Sequence, residues 1–222
     1  MPFNKKETWR LECLLGKIKQ TADPADDAEL TFRAVPFLKE VDEIVTSRLK
    51  EETPPDRETL TDAVSIVHFL AEAYDRLGRP YVSVSYYERT LALLACLKKE
   101  HGEAPKDASG VLYSALKARN YYVDDDCGDL RALSYDVLPA EIVDDVFSTV
   151  LARRRNLRHD IVETTKAYQD VIDEVEEEIE GERTSYGFGS CHQVWRLKRE
   201  ALAKRGVVWR TPAMLNPRVR FD

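Results

Sequence analysis

Cys191 and His192 are the adjacent pair in this chain best suited to chemistry, since they follow Gly187 and Gly189 and open a helical stretch. A helix N-terminus eases ionisation of a thiol, and an imidazole nearby could take its proton, the arrangement of a nucleophilic cysteine. Geometry opposes that arrangement, because successive residues on a helix point about 100° apart. The spacing also brings neither His159 nor His101 near. His159-Asp160 has the form of a metal-binding dipeptide but lacks the further His/Asp ligands a centre needs. The acidic run Asp124 to Asp129 has neither the alternating ligand spacing nor the closing Glu of an EF-hand loop. No glycine-rich phosphate loop, HExxH, GxSxG or zinc-ligand pair is present. The sequence therefore assigns no catalytic residue, no metal and no cofactor. An enzyme or metal protein using Cys191, His192 and His159 remains the alternative, should folding bring them together.

Aromatic residues suggest a different role. Tyr74, Tyr81, Tyr86 and Tyr87 cluster around the central hairpin and Tyr121-Tyr122 follow, and tyrosine is favoured in binding hot spots, which singles out Tyr81, Tyr86, Tyr121 and Tyr122. They are the candidate binding residues, while Tyr74 and Tyr87 fall at packing positions. The C-terminal tail carries Trp195, Trp209, Met214, Leu215 and Phe221. Each of these, once buried, would add roughly 1.5–3 kcal/mol. Pro212 and Pro217 lower the entropy lost when the tail is ordered. The expectation is that Trp209 to Phe221 docks across the acidic helix before it or across the central hairpin.

The elements that must position these residues are helical. Asn4 and Glu7 have the form of a capping box, with Phe3 as a staple, ahead of Leu11, Leu14, Leu15 and Ile18. A second helix begins near Pro36. Asp56 caps a third, whose stripe runs from Leu60 to Leu77 and stops at Gly78. Pro80 opens a fourth, apolar on all sides as far as about Lys98, so it belongs at the centre. Val111 to Tyr122 forms a fifth, and Val123 to Asp129 is a polar break. Pro139 opens a sixth, with Ile142, Val143, Val146, Phe147 and Val150 on one face and Arg153 to Arg155 near its end. The seventh carries Ile161, Thr165, Tyr168, Ile172, Val175 and Ile179 as a heptad seam and ends at Gly181. Cys191 to Arg205 is the eighth. Thr211-Pro212 caps one further turn. The chain is thus expected to be all-α: antiparallel hairpins in a stack or bundle of about eight helices, with a docked tail. One domain, 1–222, would comprise core hairpins 35–157, an acidic helix 158–181 and the C-terminal helix and tail 186–222.

The run AEAYDRLGRPYVSVSYYERTL resembles a tetratricopeptide repeat, with Leu70, Ala71, Tyr74, Gly78, Ser83 and Tyr87 at that repeat's spacing. The resemblance implies a helical hairpin that stacks with others and serves protein–protein interaction. It covers one hairpin, and no second copy stands about 34 residues away. The ending CHxxWxxKxxxLxxxGVxWRTPxxxNPxVxFD resembles the C-terminal segment of a group of uncharacterised bacterial proteins. That resemblance implies no activity.

Charge narrows the partners. The formal net charge is −7, and eight carboxylates stand between Asp170 and Glu182. From Thr184 onward eight Lys/Arg face only Glu200 and Asp222, a net +6, which leaves −13 for everything before. Such an acidic body argues against a nucleic-acid backbone as the main partner, and the acidic helix is the tail's nearer counter-charge. Four separated cysteines without a CxxC, no signal peptide and no apolar run near 20 residues suit a cytoplasmic, membrane-free protein. The expected function is a non-catalytic interaction or scaffold module that takes a protein or peptide partner. A self-associating structural protein, dimerised along the Ile161–Ile179 seam, is a further alternative.

Overall fold

A computed structural model describes residues 3–21, 30–51, 55–102, 107–122, 127–152, 157–182 and 190–221. The fold is all-α, and no strand occurs among the described residues. The chain divides into two compact units, 1–154 and 155–222, so the core hairpins and the acidic-helix-plus-tail segment are separate bodies. Of the loop that the run TADPADDA (Thr21 to Ala28) predicts, residues 22–28 lie outside the described residues, as do the acidic run 124–126, Arg153 to Arg155 and the Gly187/Gly189 turn.

In the first unit the caps set the helix starts. Asn4 accepts from the backbone of Lys6 and Glu7, and the Glu7 carboxylate accepts from Asn4 N at 2.8 Å, so the capping box starts α1 (Lys5–Gln20). A 3-10 turn, Phe32–Ala34, leads into α2 (Val35–Glu51). Asp56 takes the Thr59 N–H at 2.8 Å and caps α3 (Arg57–Arg76). Gly78, at φ +67°, ends α3 in the left-handed region that glycine adopts without a Cβ clash. After it come α4 (Pro80–His101), α5 (Ala108–Arg119), α6 (Gly128–Val137) and α7 (Ala140–Ala152).

The α3–α4 hairpin joins two core clusters. Leu14, Leu38, Val41, Val67 and Leu70 fill one, on the α1–α2 side. Leu91, Leu112, Leu116, Leu130 and Phe147 fill the other, towards α7. Helix α4 packs on α3, α5 and α6, the central place its all-round apolar sequence requires. Its buried Ser83 donates to the Ala71 carbonyl at 2.9 Å, a close approach that small residues at both positions permit. Helix α6 was not anticipated, because the acidic run before it dominates the local sequence, yet Leu130, Ser134 and Val137 give it a buried face at 4/3 spacing. Ile142, placed on the apolar face of α7 by its sequence, is exposed; Val143, Phe147 and Val150 are the buried set.

The second unit departs further from the sequence reading. The expected seventh helix is three elements: a 3-10 turn at Ile161–Thr164, α8 (Lys166–Gln169) and α9 (Ile172–Glu182). Asp160 caps the turn through Val162 N, and Thr165 caps α8 through Tyr168 N. Two capping side chains in succession restart the backbone, so the seam keeps only Tyr168, Ile172, Val175 and Ile179. Ile161 is 53% exposed, and Gly181 lies within α9 rather than ending it. The shortened seam packs against Leu197, Ala201 and Leu202 of α10 (Ser190–Lys204), so its apolar face is covered inside the unit. Gly206, at φ +79°, ends α10, and the Val207 N–H closes on the Leu202 carbonyl. The single turn α11 (Pro212–Leu215) is capped by Thr211.

Candidate functional site

The densest polar constellation lies in the second unit, where residues 157–165 run beside the chain that follows α10. Asp160 is almost fully buried and accepts from Arg210 three times: from N at 2.7 Å, Nε at 3.1 Å and Nη2 at 2.9 Å. Burial pushes its carboxyl up, but the Arg210 guanidinium, the Arg210 N–H and the Val162 N–H outweigh that and hold it below its ordinary range. Three residues on, Glu163 is 6% exposed. Its Oε1 accepts from Trp209 Nε1 at 2.8 Å, and its Oε2 lies 3.1 Å from His159 Nδ1. Burial again opposes ionisation, and the His159 hydrogen bond, the Lys198 charge and the Trp209 N–H together bring Glu163 below its usual range.

Lys198 reaches in from α10, its Nζ 5.0 Å from the centre of the Trp209 ring and 5.4 Å from that of Tyr168, within range of a cation–π contact. Desolvation would favour neutral lysine, yet Tyr168, Glu176 and Glu163 overcome it and raise the ammonium's pKa. Burial pushes the Tyr168 hydroxyl up to about 12. A second clasp holds the end of the tail: Asn216 Oδ1 accepts from Arg158 N at 2.8 Å, while its Nδ2 donates to the Arg158 carbonyl at 2.9 Å. Further out, His192 Nε2 lies 3.3 Å from the Phe221 carbonyl. The Trp195 ring stands edge-on between the His192 ring at 5.2 Å and the Phe221 ring at 5.0 Å.

Chemically, four groups of the network are moved away from neutrality. General acid–base catalysis favours groups titrating near the working pH. Asp160 and Glu163 are held ionised, Lys198 is held cationic and Tyr168 is held neutral. The carboxylates and donors are spent on one another and on the tail backbone.

The residues singled out by sequence fall as follows. Cys191 is half-buried; exposed His192 turns to Trp195 and Phe221 rather than to a thiol. Among the described residues no group of three or more His, Cys, Asp or Glu could hold a metal ion. In the first unit Tyr81 is exposed, whereas Tyr86 is half-buried and stacked on Tyr74, ring centres 5.4 Å apart. Burial raises the Tyr86 hydroxyl far above its ordinary value, with Asp42 adding to the effect. Tyr121 and Tyr122 are half-buried in the turn after α5. The four tyrosines therefore do not form one exposed set. In the tail Trp209 is buried among Tyr168, Ile172, Val175 and Ile179, and Leu215 is half-buried. Met214 is 56% exposed and does not dock, because α11 turns it outward beside Arg199. The tail's charge is answered in part by the acidic helix: Glu178 takes Arg205 at 2.8 Å and Lys204 at 3.3 Å. Arg210 is instead claimed by Asp160.

Sequence reasoning missed Glu163, Lys198, Arg210 and Asn216, and weighed Asp160 only as half of a metal-binding dipeptide. A signal for the role of Asp160 was available, since it stands where an Asx cap forms and Thr164-Thr165 follow it. No family model, no curated protein and no solved structure matches this chain.

Proposed function

We propose that the chain is a non-catalytic, cytoplasmic helical interaction module, and that its C-terminal unit holds the post-α10 segment in one conformation for a protein or peptide partner. The observation that carries this reading is the closed polar network. Its Asp160 and Glu163 carboxylates and the Asn216 amide tie the segment after α10 to residues 158–163, and Asp160, Glu163, Lys198 and Tyr168 are all shifted away from neutrality. A segment fixed in advance binds with less ordering cost than a free one. The tetratricopeptide-like α3–α4 hairpin is consistent with an interaction role. No helix among the described residues is long and apolar enough to cross a membrane.

Photo-cross-linking tests it. A benzoylphenylalanine replacing exposed Met214 should give discrete protein adducts, suppressed by excess unmodified chain. The same probe replacing exposed Glu58 on α3 should not. Identical adducts from both positions would count against the reading, as would a small-molecule turnover abolished by Cys191→Ser.

A further inference from the structure

The two segments clasped by the network also make a surface, and its composition narrows the partner. Asp160 meets Arg210 and Arg158 meets Asn216, so residues 158–160 and 210–216 run antiparallel. Apolar side chains that the core does not use stand on these paired segments and their continuations: Leu157, Ile161, Val208, Met214 and Val219. Val208, at 82% exposed, is the extreme case: its neighbours Val207 and Trp209 both point into the core. The Asn216 clasp places Leu157 and Val219 in one neighbourhood, because Val219 N closes a turn on the Asn216 carbonyl. Met214 touches Arg199, its Sδ 3.8 Å from Nη1.

The charge on this surface has one sign and one residue type. Over 157–161 and 208–221 stand Arg158, Arg210, Arg218 and Arg220 against Asp160 alone; Asp160 is buried and answers Arg210, which leaves an excess of three arginines. Exposed Arg199 adds to it, and the Arg210 guanidinium keeps half its surface in solvent. No lysine occurs in either segment. Arginine's planar fork pairs bidentately with carboxylates, which a lysine point charge does not.

We infer that this surface docks an acidic, amphipathic segment of a partner protein, carboxylates on the arginines and apolar side chains over Met214, Val208 and their neighbours. The inference rests on the interaction reading above and names the partner's chemistry. Charge complementarity selects the occupant: a basic rim around an apolar patch accepts acidic-apolar sequence and repels basic sequence. Single-stranded nucleic acid fits less well, since it stacks bases on open aromatic faces. Here Trp209 is buried, and Trp195 is half-buried with Phe221 and His192 against it.

The test is selection of random displayed peptides on the full-length chain, followed by fluorescence anisotropy with the enriched peptide. Enriched sequences should carry Asp/Glu interleaved with Leu, Ile, Met or Phe, and their affinity should fall as salt rises. Arg218→Glu and Met214→Glu, both at exposed positions, should each weaken binding about tenfold while far-UV circular dichroism stays unchanged. Neutral or basic enriched peptides whose binding still responds to Met214→Glu would overturn the acidic assignment and leave the interaction reading standing. Acidic peptides indifferent to both variants would overturn the location. Tighter binding to phosphatidylserine vesicles or single-stranded RNA than to any peptide would replace the partner class. Failure to enrich any peptide would count against this inference and the interaction reading together.

Discussion

A double-mutant cycle on Trp209 and Glu163 measures how firmly the segment after α10 is held. Their hydrogen bond, 2.8 Å from Nε1 to Oε1, is buried and made to a carboxylate. Glu163→Met keeps side-chain length but strands the Trp209 N–H and removes the acceptor facing His159 Nδ1. Losing one side of such a buried charged set costs about 3–5 kcal/mol. Trp209→Phe loses one bond to a charged acceptor, about 1.5–3 kcal/mol, and roughly 1 kcal/mol more for the smaller ring. The bond is absent after either change, so the double variant should fall short of the sum by about 1.5–3 kcal/mol. Urea unfolding of the full chain gives the energies. Amide exchange over residues 207–221 reports the C-terminal unit separately, since two units need not open together. Additivity within about 0.5 kcal/mol would refute the claim that this bond ties the tail to the 157–165 segment.

Acid should loosen the same unit. Asp160 and Glu163 both have folded pKa values below their ordinary ones, so their contribution is complete above the usual carboxylate range, about pH 4, and is lost as pH falls through the folded values. Exchange protection at 207–221 should collapse in that window, and Asp160→Asn with Glu163→Gln should flatten the slope; an unchanged slope would contradict the assignment. The shortened seam predicts that Ile161→Lys changes stability by less than about 0.5 kcal/mol, whereas Ile172→Ala costs about 2–5 kcal/mol. Comparable losses in the two denaturation curves would restore the continuous heptad. In the first unit, Ser83→Leu should cost about 1–3 kcal/mol by overpacking the α3–α4 contact, seen as a lowered Tm, while Ser83→Ala should cost under about 1.5 kcal/mol.

The helices of the first unit other than α6 were legible because local signals agree with tertiary demand there. Asn4/Glu7, Asp56, Gly78 and Pro80 each mark an end that the structure uses, and the Leu60–Tyr74 stripe is the buried face of α3. Reading failed where a side chain's partner is distant in sequence. Nothing near Asp160 or Glu163 announces that Arg210 and Trp209, 50 and 46 residues on, will donate hydrogen bonds to them. Without those partners the residues 161–179 scan as one uninterrupted heptad. With them, Asp160 and Thr165 become caps and the periodicity breaks at Ile161. The Cys191-His192 pair misled for the opposite reason: adjacency in sequence suggested a relation that helix geometry denies, and His192 went to the C-terminal segment instead.

The placing of charge in the C-terminal unit follows from its small size. A short segment such as 155–222 can bury few apolar residues, and among the described residues nine form its core. Apolar contact is non-directional and by itself specifies the register of an extended segment such as 207–211 less firmly than hydrogen bonds do. The carboxylates remove that ambiguity. Asp160 takes its three hydrogen bonds from the tail on Arg210, and Glu163 Oε1 takes the Trp209 indole N–H. A slip of one residue would strip both buried carboxylates of these partners, at roughly 1–3 kcal/mol for each hydrogen bond lost. That same register sends Val208 and Met214 outward with the arginines beside them. The buried network and the exposed patch are therefore two sides of one constraint, and a change that breaks the first should abolish recognition by the second even where no contacting residue is altered.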